Sequence, residues 1–285
     1  MKGGTYKMFK ILTDTSALYN VQEGKVLEVD VLPLTVTVQG KTYREFEEID
    51  TLTFHNLLKE GHIPTSSQPA IGETIDYFEK NSGEEILALC MADGLSGTYA
   101  STVGAKESIN PNDHIHVVNT KTLCGPHRYL IQLAVQLREE GKSLIETKEI
   151  LLKKIDTAFS FLMPQDFNFL RRGGRCTALA ATLGGLLKLQ PVVTQTEDGR
   201  RLDKFTTGRS MDAAVKAILV YLNQRKVDAQ HKIYICHGYA EKQALKIKEK
   251  IQTVIQNADV ELLLLSCAFL TQGGPGAIAI QVIEK

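Results

Sequence analysis

The chain has 285 residues, 43% of them hydrophobic, and its 33 basic residues are balanced by 33 acidic ones. This length predicts one large domain or two ordinary ones, and the apolar fraction is sufficient for buried cores. The absence of a positive excess argues against non-specific nucleic-acid binding, and it gives no reason to expect an anionic membrane surface as a partner.

In the first half of the chain, short apolar runs alternate with amphipathic segments. Strands are predicted at residues 9–12, 29–32, 86–91 and 115–118, and helices at residues 53–59, 71–81, 98–109 and 125–140. Such alternation favours a parallel sheet with helices on both faces, which is a three-layer α/β/α domain.

The second half also contains both predicted strands and predicted helices, but it includes a hairpin turn. Strands are predicted at residues 159–162, 189–193, 232–236, 261–266 and 277–282, and helices at residues 177–188, 211–223 and 241–257. The turn at residues 197–200 indicates a hairpin, which a purely parallel sheet lacks. We therefore expect an α/β domain at residues 1–156 and a smaller mixed α/β domain at residues 157–285.

The cysteines and the apolar runs indicate the cellular compartment in which the protein is expected. The five cysteines are Cys90, Cys124, Cys176, Cys236 and Cys267. Their odd number, wide spacing and lack of a C-x-x-C pair predict neither a disulfide framework nor a zinc site. Residues 1–10 are too polar for a signal peptide, and the apolar run at residues 261–270 is too short to span a bilayer. We expect a cytoplasmic protein without a membrane segment or a bound metal.

The most distinctive polar motif is LRRGGRC, at residues 170–176. Its glycine pair lets a ligand approach the backbone, and Arg175 is suited to gripping a carboxylate or phosphate. The free N–H groups at the start of the predicted helix at residues 177–188 would face the same place. The alternative is a surface turn with solvated arginines.

Two further polar loops precede predicted helices or follow predicted strands. Thr13 and Asp14 follow the first strand, where open α/β sheets bind ligands, although helix capping by Asp14 or Ser16 explains them equally well. The sequence PTSSQP, at residues 64–69, contains Ser66 and Ser67. A turn with one capping hydroxyl is the alternative for this loop, but it leaves the other hydroxyls unexplained.

The loop DGLSGTY, at residues 93–99, follows the strongest predicted strand. Gly94 and Gly97 permit a tight turn, and Ser96 and Thr98 then open a helix, an arrangement that suits an anion. The loop is neither a dinucleotide fingerprint nor a Walker loop nor a G-x-S-x-G elbow. A last candidate is QGGPG, at residues 272–276, where backbone N–H groups can face a ligand or simply form a terminal turn.

Taken in order, these loops resemble those of the DegV family of bacterial fatty-acid-binding proteins. The matching segments are ILTDT at residues 11–15, VLPL at 31–34, SSQP at 66–69, GLSGTY at 94–99, NFLRRGGR at 168–175 and GPG at 274–276. The resemblance implies two α/β domains that hold a fatty acid between them, without a cofactor. The ligand-binding residues it suggests, together with the loops above, are Thr13, Asp14, Ser66, Ser67, Gly94, Ser96, Gly97, Thr98, Arg175, Gln272 and Gly273.

The resemblance also implies an arrangement and a partner. The carboxylate would lie near the hydroxyl loops, and the acyl chain would enter the second domain. There residues 178–189, with Phe161 and Met163, form either a tunnel wall or an ordinary core. Related proteins present the carboxylate to a separate fatty-acid kinase, which makes an acyl phosphate for phospholipid synthesis.

Four positions depart from the family pattern. Gln272 replaces a usual histidine, Gln190 a usual lysine, Ser66 a usual threonine, and residues 119–120 read Asn-Thr instead of Asp-Ser. Glutamine donates hydrogen bonds but carries no charge, which makes coupling to a kinase less certain than binding of the carboxylate.

Three functions remain open from the sequence. The first is a lipid-binding carrier without catalysis of its own. The second is an enzyme that acts on a small carboxylate or phosphate compound through Ser96 or Thr98. The third is a lipid-responsive regulatory protein. The carrier is favoured because the loops offer hydrogen-bond donors but no convincing general base.

Overall fold

The structure is a computed structural model that describes residues 8–175 and 189–285. Its strands are β1 (Lys10–Asp14), β2 (Val29–Leu32), β3 (Thr35–Val38), β4 (Lys41–Arg44), β5 (Thr65–Ser67), β6 (Ile86–Cys90), β7 (Ile115–Asn119), β8 (Phe159–Met163), β9 (Gln190–Gln195), β10 (Leu202–Gly208), β11 (His231–His237), β12 (Asp259–Leu264) and β13 (Ile278–Glu284). Its described helices are α1 (Val21–Val26), α2 (Thr51–Lys59), α3 (Ile71–Lys80), α4 (Thr98–Glu107), α5 (Cys124–Glu139), α6 (Leu144–Ile155), α7 (Phe167–Arg172), α8 (Met211–Gln224), α9 (Glu241–Val254) and α10 (Cys267–Gly273). The predicted helix at residues 177–188 and nearly all of the predicted tunnel wall at residues 178–189 lie outside the described residues.

Four parallel strands form the first sheet, in the order β2-β1-β6-β7. Successive residues of a strand face opposite sides of a sheet. Accordingly Ile11 and Leu87 pack toward α5 and α6, whereas Leu12 packs toward α3 and α4. The predicted three-layer α/β/α arrangement is therefore confirmed. The carboxyl ends of β1 and β6 lie side by side where the strand order reverses, which is the usual ligand edge of such sheets.

A second, antiparallel sheet in the order β4-β3-β5 was not predicted from the sequence. Its strands are three or four residues long, too short to stand out as apolar runs. Within β3, Val36 and Val38 are buried while Thr35 and Thr37 alternate with them. The sheet turns the predicted loop around Ser66 into an edge strand with a fixed register against Val36.

Six strands form the third sheet, in the order β10-β9-β8-β13-β11-β12. The pair β11 and β12 is parallel and the remaining neighbours are antiparallel, so the predicted mixed sheet is confirmed. The predicted hairpin is also present, between β9 and β10. Its turn closes with a hydrogen bond of 2.9 Å from the Thr196 amide to the Arg201 carbonyl, and Gly199 has a φ of +70°.

Helix α5 lies between the parallel sheet and the mixed sheet and contacts both. At its start, Gly125 leaves no room for a side chain, because a Cβ there would overlap the Tyr234 ring. The same residue donates its amide to Gln281 Oε1, 3.0 Å away. One hydrophobic core therefore runs continuously through α5 from one sheet to the other. The chain passes from α6 to β8 at residues 156–158, and the division into domains at residues 1–156 and 157–285 stays a prediction.

Helices α8 and α9 cover the outer face of the mixed sheet, where Ile218 and Ile247 are buried among its strands. Within residues 8–175 and 189–285, no helix combines the length and the apolarity needed to cross a membrane.

Candidate ligand-binding site

A cavity lies between the mixed sheet and the loops at the carboxyl ends of the parallel strands. Its volume is about 110 Å³, which is several times the space that one buried water needs. Most of its wall is apolar. The described residues that line it are Met91, Leu95, Leu123, Cys124, Ser160, Phe161, Leu162, Leu170, Arg175, Val193, Thr194, Gln195, Leu202, Leu265, Phe269, Gln272, Gly273, Ala279 and Gln281.

The register of β8 against β13 explains how this wall is built. Leu162 lies opposite Ala279, and Ser160 lies opposite Gln281. Because residues two apart face the same side of a sheet, these pairs line the cavity about 7 Å apart along the strands. Phe161 and Met163 both belong to the buried core beneath α8, and of the two Phe161 also borders the cavity.

Gln272 and Ser66 meet at one polar point of the cavity. The Gln272 side-chain amide nitrogen donates to Ser66 Oγ at 3.2 Å. The other amide atom, Oε1, is buried and has no hydrogen-bond partner in the described part of the chain. A Cβ at Gly173 would overlap this oxygen, so only glycine lets α7 approach Gln272 so closely. The sequence predicted Gln272 and Gly273 in a loop, but both lie in the last turn of α10.

Arg175 lies at the mouth of the cavity, where its side chain is solvent-exposed. Its Nε donates to the Leu95 carbonyl at 3.0 Å, and its Nη1 donates to the Gly173 carbonyl at 2.6 Å. Gly174 has a φ of +75°, a conformation that favours glycine. The predicted GGR motif therefore carries its arginine across to the loop after β6, and within the described residues its other guanidinium N–H groups have no partner and could bind an anion.

Within the loop after β6, the hydroxyls of Ser96 and Thr98 hydrogen-bond each other at 2.8 Å. Ser96 Oγ also accepts the Thr98 amide at 3.3 Å, one residue before Gly97, which is the N-cap of α4. Gly94 and Gly97 let other segments pack closely against this loop. A Cβ at Gly94 would overlap the Arg200 carbonyl, and a Cβ at Gly97 would overlap the Gln68 side chain. Leu95 is the residue of this loop that lines the cavity.

Thr13 and Asp14 lie away from this cavity, on a second, smaller pocket that Thr98 also lines. Thr13 Oγ1 donates to the Leu89 carbonyl and contacts His127 Nε2, each at 3.0 Å. Asp14 Oδ1 accepts the Ser16 amide at 2.7 Å, so the capping alternative is present in the structure. Burial raises the pKa of Asp14 to about 6, and hydrogen bonds from Ser16 limit the rise.

Ser67 is exposed in β5, where its backbone pairs with Thr35. It is therefore on the same strand as Ser66 but faces the other way. The remaining departures from the family pattern have structural partners. Gln190 donates to the Pro164 carbonyl at 2.7 Å, and Asn119 Oδ1 accepts the amides of Asp93 and Lys121 at 3.2 and 2.9 Å.

Gln281 is a cavity residue that sequence reasoning missed. It is 1% exposed, and its amide makes four hydrogen bonds: it donates to the Leu123 carbonyl and Ser160 Oγ, and it accepts from the Gly125 amide and the Cys236 thiol. The available signal was a lone glutamine inside an apolar strand. Among residues 8–175 and 189–285, no cluster of three or more histidine, cysteine or acidic side chains is suited to a metal ion.

The fold and the cavity define a protein in which two α/β units, joined through a shared helix, enclose an apolar site with a polar point on its wall. The model of the DegV family (COG1307) matches residues 8–285, and the chain belongs to this family. DegV domain-containing protein YteA from Lactococcus lactis is 31% identical over 284 residues, which cover 97% of this chain and 98% of that protein.

Solved structures support the same assignment. The fatty acid binding DegV family protein SAG1342 from Streptococcus agalactiae is similar with a TM-score of 0.88 and 26% identity, over 97% of this chain and 98% of that one. DegV from Bacillus subtilis, described as a fatty acid binding protein, is similar with a TM-score of 0.84 and 25% identity, over 98% of this chain and all of that one (100%).

Proposed function

We propose that this protein binds a long-chain fatty acid, with the acyl chain in the cavity and the carboxylate near Ser66, Gln272 and Arg175. The observation that carries the proposal is a mostly apolar cavity with a hydroxyl, an amide and an exposed guanidinium at one side. The fatty-acid binding attributed to the similar proteins from Streptococcus agalactiae and Bacillus subtilis supports it.

The energetics suit such a ligand. Burial of a methylene contributes about 0.8 kcal/mol, so a sixteen-carbon chain can contribute on the order of 10 kcal/mol before the cost of ordering is subtracted. The carboxylate needs donors, because an unpaired buried charge is very unfavourable.

Gln272 can supply one of these donors if its side-chain amide group rotates by half a turn, so that the oxygen and the nitrogen exchange places. Ser66 Oγ then donates to Gln272 Oε1, and the amide nitrogen faces the ligand. This rotation uses the oxygen that lacks a partner in the described residues. In this arrangement Gln272 takes the place of the family's usual histidine without a charge of its own.

A binding role without catalysis fits the hydroxyls of the site. Ser96 Oγ pairs with Thr98 rather than with a base. A hydroxyl–imidazole pair does occur between Thr13 and His127, but the Thr13 hydroxyl donates to the Leu89 carbonyl. Burial lowers the pKa of His127 to about 3, which makes it a weak base in the core. An enzyme of small carboxylates or phosphates is therefore the less favoured alternative.

The family resemblance extends the proposal to a partner. A fatty-acid carrier in the cytoplasm would present its carboxylate to a separate fatty-acid kinase. Arg175, exposed at the cavity mouth, is the residue best placed to lie beside such a partner. The regulatory alternative uses the same loaded and unloaded states and differs in the partner that recognises them.

The test is organic extraction of the purified protein with quantification of acyl chains, followed by titration of the delipidated protein with palmitate. We expect about one acyl chain per protein molecule, or saturable uptake of one palmitate. A protein that yields no acyl chain and takes up neither palmitate nor oleate would contradict the proposal. Turnover of an ester or an acyl phosphate by the protein alone would favour the enzyme instead.

A further inference from the structure

Helix α10 supplies Phe269, Gln272 and Gly273 to the cavity wall, although it belongs to the second half of the chain. Its first turn is held by a residue from the first half. Glu45, which follows β4, is fully buried, and its Oε2 accepts the Ala268 amide at 2.8 Å. This contact joins residues 223 positions apart in the sequence.

The other carboxylate oxygen of Glu45 is fixed as well. Oε1 accepts a short hydrogen bond from the Thr15 hydroxyl, and Thr15 Oγ1 accepts the Leu34 amide at 3.0 Å. The carboxylate thus links the turn after β1, the end of β4 and the start of α10. The titratable groups that face it are Asp14, Cys124 and Cys267, and no basic side chain in the described part of the chain forms an ion pair with it.

Besides its packing against α2, α7, β3 and β5, α10 is fixed by a hydrogen bond at each end: to Glu45 at its first turn and to Ser66 at its last. The helix has seven residues, a length of about 10 Å. A shift of the first turn is transmitted along so short a helix to the residues that face the ligand.

We propose that Glu45 is a positioning residue for ligand binding, which holds the first turn of α10 so that Phe269 and Gln272 stay on the cavity wall. This inference rests on the proposed function, since it assigns Glu45 a part in fatty-acid affinity without contact to the fatty acid. The positioning itself can be measured without any ligand.

The test compares two substitutions that differ only in whether the hydrogen bonds can form. Glu45→Leu replaces the side chain with one of similar size that has no hydrogen-bond acceptor. Glu45→Gln keeps an acceptor for the Ala268 amide, and its amide nitrogen can donate to Thr15 Oγ1. We expect Glu45→Leu to weaken palmitate binding by about tenfold or more, because both hydrogen bonds of the Glu45 side chain are lost. Glu45→Gln should stay within about threefold of the unsubstituted protein.

Hydrogen exchange of the unloaded protein separates positioning from general destabilisation. We expect the amides of residues 268–273 to exchange faster in Glu45→Leu, with slow exchange restored in Glu45→Gln. Arg138→Met is the matched control. Arg138 is buried and donates to the carbonyls of Leu27 and Glu28, which lie between α1 and β2 and not in α10. This control should lose stability but keep both the palmitate affinity and the slow exchange of α10.

The inference is overturned if Glu45→Leu binds palmitate as well as the unsubstituted protein, or if Arg138→Met loses affinity equally. Should Glu45→Leu fail to fold, Glu45→Asp replaces it, since the shorter side chain cannot reach Ala268 and Thr15 together, and unchanged affinity in that variant overturns the inference equally. If the unsubstituted protein binds no fatty acid, the proposed function fails, and the exchange comparison still decides whether Glu45 holds α10.

Discussion

Gln272 donates a hydrogen bond to the hydroxyl of Ser66, 3.2 Å away, across 206 positions of sequence. The bond joins the last turn of α10 to the edge strand of the small antiparallel sheet. It brings together two of the residues that the loop patterns proposed, and it does so beside a cavity that neither segment encloses alone. The proposed carboxylate site depends on this meeting.

Gln272→His should introduce a pH dependence that the unsubstituted protein lacks. A glutamine contributes a neutral hydrogen bond of about 0.5–1.5 kcal/mol, whereas a histidine gains charge near neutral pH and then attracts a carboxylate. We expect palmitate affinity of Gln272→His to rise as the pH falls from 8 to 6. The measurement is a titration of affinity against pH for both proteins. A steep protonation-linked change in the unsubstituted protein would assign control of the carboxylate to another group.

Gly173→Ala should weaken ligand binding more than it changes stability. The Gly173 φ of −65° suits alanine, but the new Cβ would displace Gln272 Oε1 and separate Gln272 from Ser66. We expect a loss of affinity of about threefold to tenfold, as for one neutral hydrogen bond. Gly72→Ala in α3 is the control, because nothing lies within 4 Å of a Cβ there. Equal affinity in the two variants would remove Gly173 from the site.

Ser66→Ala and Ser96→Ala distinguish the two hydroxyl loops. Removal of a serine hydroxyl that hydrogen-bonds the carboxylate should reduce the binding free energy by about 1.5–3 kcal/mol, which lowers the affinity roughly tenfold or more. For Ser66 we expect a smaller loss, about threefold to tenfold, because its hydroxyl bonds Gln272 at the cavity and acts on the ligand through that amide. The Ser96 hydroxyl hydrogen-bonds Thr98 in the structure. The affinity of Ser96→Ala therefore tests whether this hydroxyl bonds the carboxylate when the ligand is present. Unchanged palmitate affinity and melting temperature in Ser96→Ala would exclude that residue.

Arg175→Ala should leave folding largely intact and impair binding. The guanidinium is exposed and makes hydrogen bonds only to carbonyls in the described part of the chain, those of Leu95 and Gly173. Its removal therefore leaves no buried charge unpaired. Thermal unfolding together with palmitate titration tests this expectation, with Arg209→Ala, an exposed arginine elsewhere, as a control. A variant that fails to fold would show that the role of Arg175 is structural.

The contribution of Glu45 and Asp14 to stability should fall as the pH rises from about 4 to about 7, whereas that of His127, whose pKa burial lowers from 6.5 to about 3, should rise up to its ordinary value. Burial raises the pKa of Glu45 from an ordinary 4.5 to about 7 and that of Asp14 from 3.8 to about 6. For a carboxyl group raised in this way, the stabilisation is complete below the ordinary pKa and is lost as the pH passes the folded pKa. The slope is at most about 1.4 kcal/mol per pH unit for each group.

Urea denaturation of the unsubstituted protein and of Glu45→Gln at several pH values checks this expectation. From pH 4 to 7 the unsubstituted protein should lose stability relative to Glu45→Gln, because the variant lacks the Glu45 carboxyl group while Asp14 and His127 titrate in both proteins. A difference in stability between the two proteins that stays constant from pH 4 to 7 would contradict the raised pKa of Glu45.

Much of the fold could be predicted from the sequence because the signals are local. The apolar run at β6 and the helical spacing at α3 and α5 each specify an element within a few residues. The hairpin turn at residues 197–200 likewise carries its own information, in a glycine that adopts a positive φ. The strands β3, β4 and β5 were missed because they are too brief to produce a clear alternation, and the twelve-residue helix α6 was missed as well.

The sequence by itself determined most of the longer strands and helices, and which loops carry hydroxyls, glycines and Arg175. The tertiary structure decided which of those loops meet. It separated Thr13 and Asp14 from the apolar cavity, joined Ser66 to Gln272, and buried Glu45 against the start of α10. The physical reason is that burial and hydrogen bonding between distant segments depend on how the sheets pack around α5, and no local pattern encodes that packing.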